Sequence, residues 1–330
     1  MVTTLRTGAN LGTSLKSLAT GFVLTKQTEG KSARTVEYYR DNLRRFLWYA
    51  EQQDWSDDVR LLTQWHVKQF LGYVGSSTDR WGLNGNGSES SKTVASYSTV
   101  RHYFVVLTCF LRWIVSEGFL SENPIANVHV SKSTPKVITP YSADEISRML
   151  EVCDRDFAHN AKFLGSRNRA MILILLDTGV RLSELVGMQV DHVNTESGEF
   201  KVLGKGRKER VVRMGKVTRK ALWKYMVYRS NDAGSLWLTE EGKPIENRGV
   251  QACINVLKRR ASISGGGSVH RFRHSFALNF LRADRNVFNL QYLLGHSDLD
   301  MVRRYTSALG MEDALKAHEK ASPVDLLGIR

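Results

Sequence analysis

The stretch that decides the fold of this chain begins Val-His-Arg-Phe-Arg-His-Ser-Phe-Ala at residues 269–277 and ends Leu-Leu-Gly-His-Ser-Asp-Leu-Asp-Met-Val-Arg-Arg-Tyr at residues 293–305. Its first part has helical periodicity, which predicts that His270 and Arg273 lie on one helix face, three residues apart. Such a pair can contact one ligand group of the size of a phosphate. The stretch ends on Tyr305, which directly follows two arginines, so a phenol is placed among cations.

Arginine, histidine and tyrosine together form a set suited to attack on a phosphodiester. Guanidinium groups bind the nonbridging phosphate oxygens in pairs and do not lose their proton. A phenol is a poor nucleophile at its free pKa of roughly 10, but nearby cations favour the phenolate and an imidazole can accept its proton. His296 directly follows Gly295, which is predicted to end a helix. The stretch therefore predicts that Tyr305 becomes covalently linked to a phosphate.

Two further motifs lie upstream of this stretch. The sequence Thr-Gly-Val-Arg-Leu-Ser-Glu-Leu at residues 178–185 places Arg181 three residues before Glu184, and Gly-Lys-Gly-Arg-Lys-Glu-Arg follows at residues 204–210. Together with His-x-x-Arg, Leu-Gly-His and the tyrosine, these motifs closely resemble those of the tyrosine recombinases, the phage-integrase and Xer-type family. The resemblance extends over about residues 20–320.

This resemblance implies a site-specific DNA recombinase of the integrase or resolvase type. The catalytic residues that it implies are Arg181, Lys205, His270, Arg273, His296 and Tyr305. Arg181 and Arg273 would stabilise the transferring phosphoryl group, while His270 and His296 position the phosphate and manage the proton of the nucleophile. Tyr305 would form a 3′-phosphotyrosyl intermediate and release a 5′-hydroxyl.

The leaving group requires a separate proton donor, because an alkoxide is very basic. The resemblance implies that Lys205 enters the minor groove and protonates the departing 5′ oxygen, with Lys208 as its substitute if the hairpin has another register. Glu184 is implied as the partner that orients Arg181. We expect no metal, no ATP and no other cofactor in this reaction.

The formal net charge of the 330-residue chain is +14, which favours a polyanionic partner such as nucleic acid. The resemblance implies double-stranded DNA with a specific recombination site, held by four protomers on two duplexes. These protomers form a homotetramer, or a heterotetramer with a related recombinase. The residues that we expect to contact DNA are Arg40, Arg44, Arg45, Arg101, Arg207 and Lys208. The alternative for the helical arginines is a solvated charged face.

The hydropathy pattern predicts a mainly α protein with a small antiparallel β-sheet. Apolar residues at three- and four-residue intervals predict helices within 22–53, 62–74 and 97–117. Ser142 opens a capping-box pattern, and alternation between residues 198 and 214 predicts a β-hairpin with a basic tip. The resemblance implies a helical, SAM-like core-binding domain followed by a mixed α/β tyrosine-recombinase catalytic domain.

These patterns divide the chain into four segments. They are a flexible N-terminal tail at 1–20, the core-binding domain at 21–128, a linker at 129–141, and the catalytic domain with a C-terminal docking helix at 142–330. The tail lacks the apolar core of a signal peptide, and its alternative role is an arm that touches DNA. The resemblance implies that the last helix docks on a neighbouring protomer; packing on its own domain is the alternative.

Several classes of protein are disfavoured. The three cysteines are scattered without a Cys-x-x-Cys pair, which argues against a disulfide framework or a zinc site and predicts a reduced, cytoplasmic protein. No run approaches the roughly 18 apolar residues that span a bilayer, so we expect no membrane partner. His270 and His274 have a spacing that suits zinc, but Arg273 between them would repel a divalent cation. We interpret His274 as a structural residue.

Two other functions fit part of the pattern. A type IB topoisomerase uses nearly the same residues to relax supercoils, although the Leu-Gly-His motif and the long helical first half favour recombination. A DNA-binding regulator without catalytic activity would retain the basic charge. A covalent DNA adduct distinguishes an enzyme from a regulator.

Overall fold

The computed structural model describes residues 12–81, 94–131, 139–203, 209–229, 234–264, 269–284 and 286–295, together with Tyr305, Gly310, Leu315 and His318. The chain divides into two compact units, Met1–Pro135 and Lys136–Arg330. Across the described ranges, no helix combines the length and apolar character needed to cross a membrane.

The first unit is a bundle of helices. Within its described ranges the α-helices are α1 (Leu15–Thr28), α2 (Ala33–Gln52), α3 (Gln64–Ser76) and α4 (Tyr97–Ser116), with a short 3₁₀ turn at Val59–Leu61. The side chains of Ser14, Ser32 and Ser96 accept backbone N–H groups at the starts of α1, α2 and α4. Such caps satisfy donors that have no partner within the helix.

Each of these helices contributes one fully buried phenylalanine to the core of the first unit. The rings are those of Phe22, Phe46, Phe70 and Phe110. Phe22 meets Phe110 edge to face at 5.5 Å between ring centroids, and Phe46 meets Phe70 in the same way at 5.0 Å. Burial of such rings is a major source of stability, and edge-to-face contacts suit their charge distribution.

The predicted tail at 1–20 extends too far, because α1 already begins at Leu15. Leu15 and Leu18 are buried, and the Leu15 N–H donates to the carbonyl oxygen of Asp57. The signal was available in the sequence, since Leu15, Leu18, Ala19, Phe22 and Val23 recur at three- and four-residue intervals. The predicted linker at 129–141 also ends before Tyr141, which is buried against the ring of Phe272 in the second unit.

The second unit contains seven α-helices and one hairpin among its described residues. The helices are α5 (Ala143–Ala158), α6 (Lys162–Thr178), α7 (Leu182–Val186), α8 (Lys216–Tyr228), α9 (Asn247–Arg260), α10 (His270–Asp284) and α11 (Val287–Leu294). Strands β1 (Glu199–Leu203) and β2 (Glu209–Arg213) pair antiparallel, with Phe200 opposite Val212. The capping box predicted at Ser142 is present, with its side chain and that of Glu145 exchanging hydrogen bonds with the backbone.

Helix α6 is the central helix of this unit. It begins at Lys162, eight residues before its apolar run at 170–176. In this first part of the helix, Gly165 packs directly against the backbone of α5. A Cβ at Gly165 would lie 2.6 Å from the carbonyl oxygen of Cys153. The helix ends at Gly179, which has φ of 60° and lies against the ring of Phe276. This glycine turn brings the following residues of α7 beside α10.

Candidate active site

The first element of the site is an ion pair at the start of α7. The backbone N–H of Arg181 donates to Glu184 Oε2 at 2.7 Å, and Arg181 Nη1 donates to Glu184 Oε1 at 2.8 Å. The Glu184 side chain is only 2% exposed, whereas that of Arg181 is 30% exposed. The carboxylate therefore holds the guanidinium of Arg181 at the edge of the solvent.

A second arginine, Arg210 on β2, completes this pair. Its Nη1 and Nη2 donate to the two oxygens of Glu184 at 2.7 and 2.8 Å, and its Nε donates to the carbonyl oxygen of Leu293 at 3.0 Å. Arg210 lies at the end of the motif at residues 204–210, and no role was predicted for it from the sequence. The available signal was strand alternation, since Arg210 lies two residues from the buried Val212 and therefore on the same face of the hairpin.

The charge state of Glu184 follows from these contacts. Burial opposes ionisation of the carboxyl group, but hydrogen bonds from Arg210 and from the Arg181 backbone outweigh it and lower the pKa to about 2. Glu184 is thus a carboxylate throughout the physiological pH range.

Arg273 on α10 lies beside this cluster and is 4% exposed. It donates from Nη1 to the carbonyl oxygen of Gly179 and, at 2.8 Å, from Nη2 to that of Leu294. Burial, and next the charge of Arg181, lower its pKa to about 10, so it remains a cation at neutral pH. Its two carbonyl partners fix the plane of the guanidinium.

His270 lies one turn before Arg273 on α10. Burial, followed by the charges of Arg273 and Arg181, lowers its pKa, which favours the neutral imidazole at neutral pH. The charge of Arg181 lowers the pKa of both His270 and Arg273, because the three side chains lie near one another. The structure therefore brings Arg181, His270 and Arg273 together, as their motifs predicted.

Tyr305 lies in a small apolar cluster on α10 and α11 and is 1% exposed. Its hydroxyl oxygen is 3.1 Å from Nδ1 of His274, and the two rings are 5.6 Å apart. When ionised, it also tends to raise the pKa of Arg273. His274, which we interpreted from sequence as structural, is therefore a direct partner of the tyrosine hydroxyl. Its spacing from His270 suggested only a metal site, so this partnership was missed.

The other predicted residues are distributed as follows. Arg40 and Arg44 are exposed on α2, and Arg44 pairs with Asp41 at 3.2 Å. Arg45 donates to the Tyr103 hydroxyl at 2.9 Å, and Arg101 is half-buried on α4. Lys205, Arg207, Lys208 and His296 lie outside the described residues, as does most of the predicted C-terminal docking helix.

No group of three or more His, Cys, Asp or Glu side chains that suits a metal ion occurs within the described part of the chain. The charged groups around Arg181 and Arg273 are mainly cationic, and cations of this kind bind phosphate oxygens. Of these groups the Arg181 side chain is 30% exposed, whereas Arg273 and Tyr305 are almost fully buried.

Residues 141–310, more than half of the chain, match the model of the phage integrase family. The chain belongs to the phage integrase family. It is 32% identical over 241 residues to the tyrosine recombinase XerC of Yersinia pestis, with 72% of this chain and 77% of that protein covered. This relationship identifies a tyrosine recombinase of the Xer type and confirms the family resemblance.

Two solved structures have a similar fold. One is the XerH site-specific recombinase bound to palindromic difH substrate, with a TM-score of 0.69 and 21% identity over 95% of this chain and 85% of that one. The other is the lambda integrase tetramer bound to a Holliday junction, with a TM-score of 0.67 and 16% identity over 88% of this chain and 77% of that one. They confirm the predicted fold class, a mainly helical protein with a small antiparallel sheet.

In this recombinase, the family match contains Arg181, Glu184, Arg210, Arg273 and Tyr305 and begins after helices α1–α4. The hydrogen bonds described above for the candidate site join residues of the second unit.

Proposed function

We propose that this recombinase cuts and rejoins double-stranded DNA at a specific site, with Tyr305 forming a 3′-phosphotyrosyl link and releasing a 5′-hydroxyl. The observation that carries the proposal is the 3.1 Å contact between the Tyr305 hydroxyl and His274 Nδ1, on the helix that also supplies Arg273. A hydroxyl with an imidazole partner and nearby guanidiniums suits nucleophilic attack on a phosphodiester.

The phosphoryl group is stabilised by Arg181 and Arg273. The former is held by Glu184, and the latter by the carbonyl oxygens of Gly179 and Leu294. Donors that are oriented before the substrate arrives need no reorganisation when negative charge develops on the phosphorus oxygens. This is where the proposed site lowers the activation barrier.

The bond changes balance as follows. The oxygen of Tyr305 forms a bond to phosphorus while the bond from phosphorus to the 5′ oxygen breaks. The phenolic proton passes to His274, and Lys205 supplies a proton to the departing oxygen. His270 and His296 contact the phosphate. The phosphotyrosine conserves the energy of the broken bond, so a second strand's 5′-hydroxyl reverses the step without ATP or a metal ion.

The DNA and the assembly are also part of this proposal. The net charge of +14 favours binding to a polyanion. Lambda integrase, whose fold is similar, has been solved as a tetramer bound to a Holliday junction. We infer four protomers on two duplexes here, as a homotetramer or with a related recombinase.

The test is formation of a covalent adduct. A binding site is first selected from a randomised duplex pool with the Tyr305→Phe variant, and copies nicked at successive positions then serve as suicide substrates. The wild type is expected to give an adduct stable to denaturants, also in EDTA and without ATP. Tyr305→Phe should abolish it, whereas Tyr292→Phe should not, because Tyr292 is 84% exposed on α11. Absence of any wild-type adduct refutes the proposal.

A second assay separates recombination from the topoisomerase alternative. Plasmids with two copies of the selected site should exchange strands and give excised circles. Relaxation of supercoiled plasmid without exchange, on DNA with or without the site, would support the topoisomerase instead. Binding without an adduct would support the regulator.

A further inference from the structure

Arg210, on strand β2, makes hydrogen bonds to two different parts of the candidate site. Three of its nitrogens donate hydrogen bonds, two to the Glu184 carboxylate and one to the carbonyl oxygen of Leu293. Its side chain is 11% exposed. An arginine that is this buried and donates three such hydrogen bonds is held in one orientation.

The carboxylate of Glu184 is shared between two arginines in an unequal way. Arg210 contacts both oxygens through two parallel N–H groups, while Arg181 contacts one oxygen through Nη1 and the other through its backbone N–H. The bidentate face of the carboxylate is therefore occupied by Arg210. Without Arg210, the strongest geometry available to Glu184 would be a bidentate pair with Arg181. That pairing would turn the guanidinium of Arg181 away from a bound phosphate.

The charge balance leads to the same result. Glu184 carries one negative charge, and Arg181 and Arg210 carry one positive charge each, so the cluster retains a net positive charge. Removal of Arg210 would make it neutral. A neutral cluster stabilises the additional negative charge of the transition state less.

Arg210 also contacts the end of α11, which leads into the segment of His296 and Tyr305. The carbonyl oxygens of Leu293 and Leu294 accept from Arg210 and Arg273, respectively. A helix lacks internal donors for its last carbonyl groups, so these two side chains cap α11.

We propose that Arg210 is a positioning residue of the active site. Arg210 holds Glu184 so that Arg181 faces the phosphate, and it ties strand β2 to the end of α11. The inference rests on the proposed function. Arg210 makes no contact with DNA in this proposal, since its Nε, Nη1 and Nη2 donate to Leu293 and Glu184.

The experiment measures single-turnover adduct formation at saturating suicide substrate, with DNA affinity measured separately in the Tyr305→Phe background. Arg210→Met should slow adduct formation roughly 10- to 100-fold, which is less than the effect of losing a direct oxyanion donor. The dissociation constant for DNA should stay unchanged within about twofold. Arg210→Lys, which keeps the charge but not the bidentate geometry, should be intermediate. Arg213→Met is the control, because Arg213 is exposed on the same strand; it should be close to wild type.

Coupling to Glu184 separates positioning from general stabilisation. If Arg210 acts through the carboxylate, Arg210→Met combined with Glu184→Gln should be no slower than the slower single variant. The inference is overturned if the rate losses of the two single variants multiply in the double variant. It is also overturned if adduct formation by Arg210→Met is within threefold of that by Arg213→Met. If the methionine variant does not fold, Arg210→Lys takes its place in this comparison. In either case a normal wild-type adduct leaves the proposed function standing, whereas a missing wild-type adduct refutes that function itself.

Discussion

Replacement of Glu184 by glutamine tests the electrostatics of the site through stability. The carboxyl pKa is lowered from its ordinary 4.5 to about 2 in the fold. Because the folded carboxyl is the more acidic, the stabilisation is present above the unfolded pKa and is lost as the pH falls through about 2. The shift corresponds to about 3 kcal/mol above pH 5, with less than half remaining near pH 3. Glu184→Gln should therefore cost about 3 kcal/mol of the free energy of unfolding at pH 7.

Hydrogen exchange of peptides from α6 in increasing urea reports the opening of the second unit, since α6 forms its buried centre. Glu209→Gln serves as the control, because Glu209 is an exposed neighbour of Arg210 on the same strand. The difference in the free energy of unfolding between Glu184→Gln and Glu209→Gln should be large at pH 7 and small near pH 2. Equal stability of the two at pH 7, or a difference that does not change between pH 7 and pH 2, would refute the reasoning.

Three further predictions concern single residues. Gly179→Ala should lower the melting temperature more than Gly30→Ala, because both have positive φ but only the Cβ at Gly179 would meet a ring, at 2.4 Å; equal losses would contradict the predicted clash. His274→Gln should slow adduct formation about 10²-fold, while the exposed His102→Gln should not; unchanged kinetics for the first would remove His274 from proton transfer. Lys205→Ala should be slow on ordinary DNA but recover with a 5′-bridging sulfur, which leaves without protonation; no recovery would contradict its role as the acid.

The elements with a strong local signal were predicted well from the sequence. Helix α4 was expected at 97–117 and extends from Tyr97 to Ser116, and β1 and β2 lie within the hairpin expected at 198–214. In both cases the apolar period is set by backbone geometry alone. Gly165 within α6 is different, because glycine is unfavourable in an isolated helix and its place there is explained only by the close approach of α5.

The same distinction applies to the active site. Local spacing linked Arg181 with Glu184 and His270 with Arg273, because the first pair closes the N-terminus of α7 and the second shares a face of α10. The contacts of Arg210 with Glu184 and of His274 with Tyr305 join residues 26 and 31 positions apart. No local period relates such residues, so only packing of β2 against α7, and of Tyr305 against α10, decides which groups meet. The sequence by itself thus determined which chemical groups are available, and the tertiary structure decided their partners, since burial makes an unpaired charge costly and selects the arrangement in which it is paired.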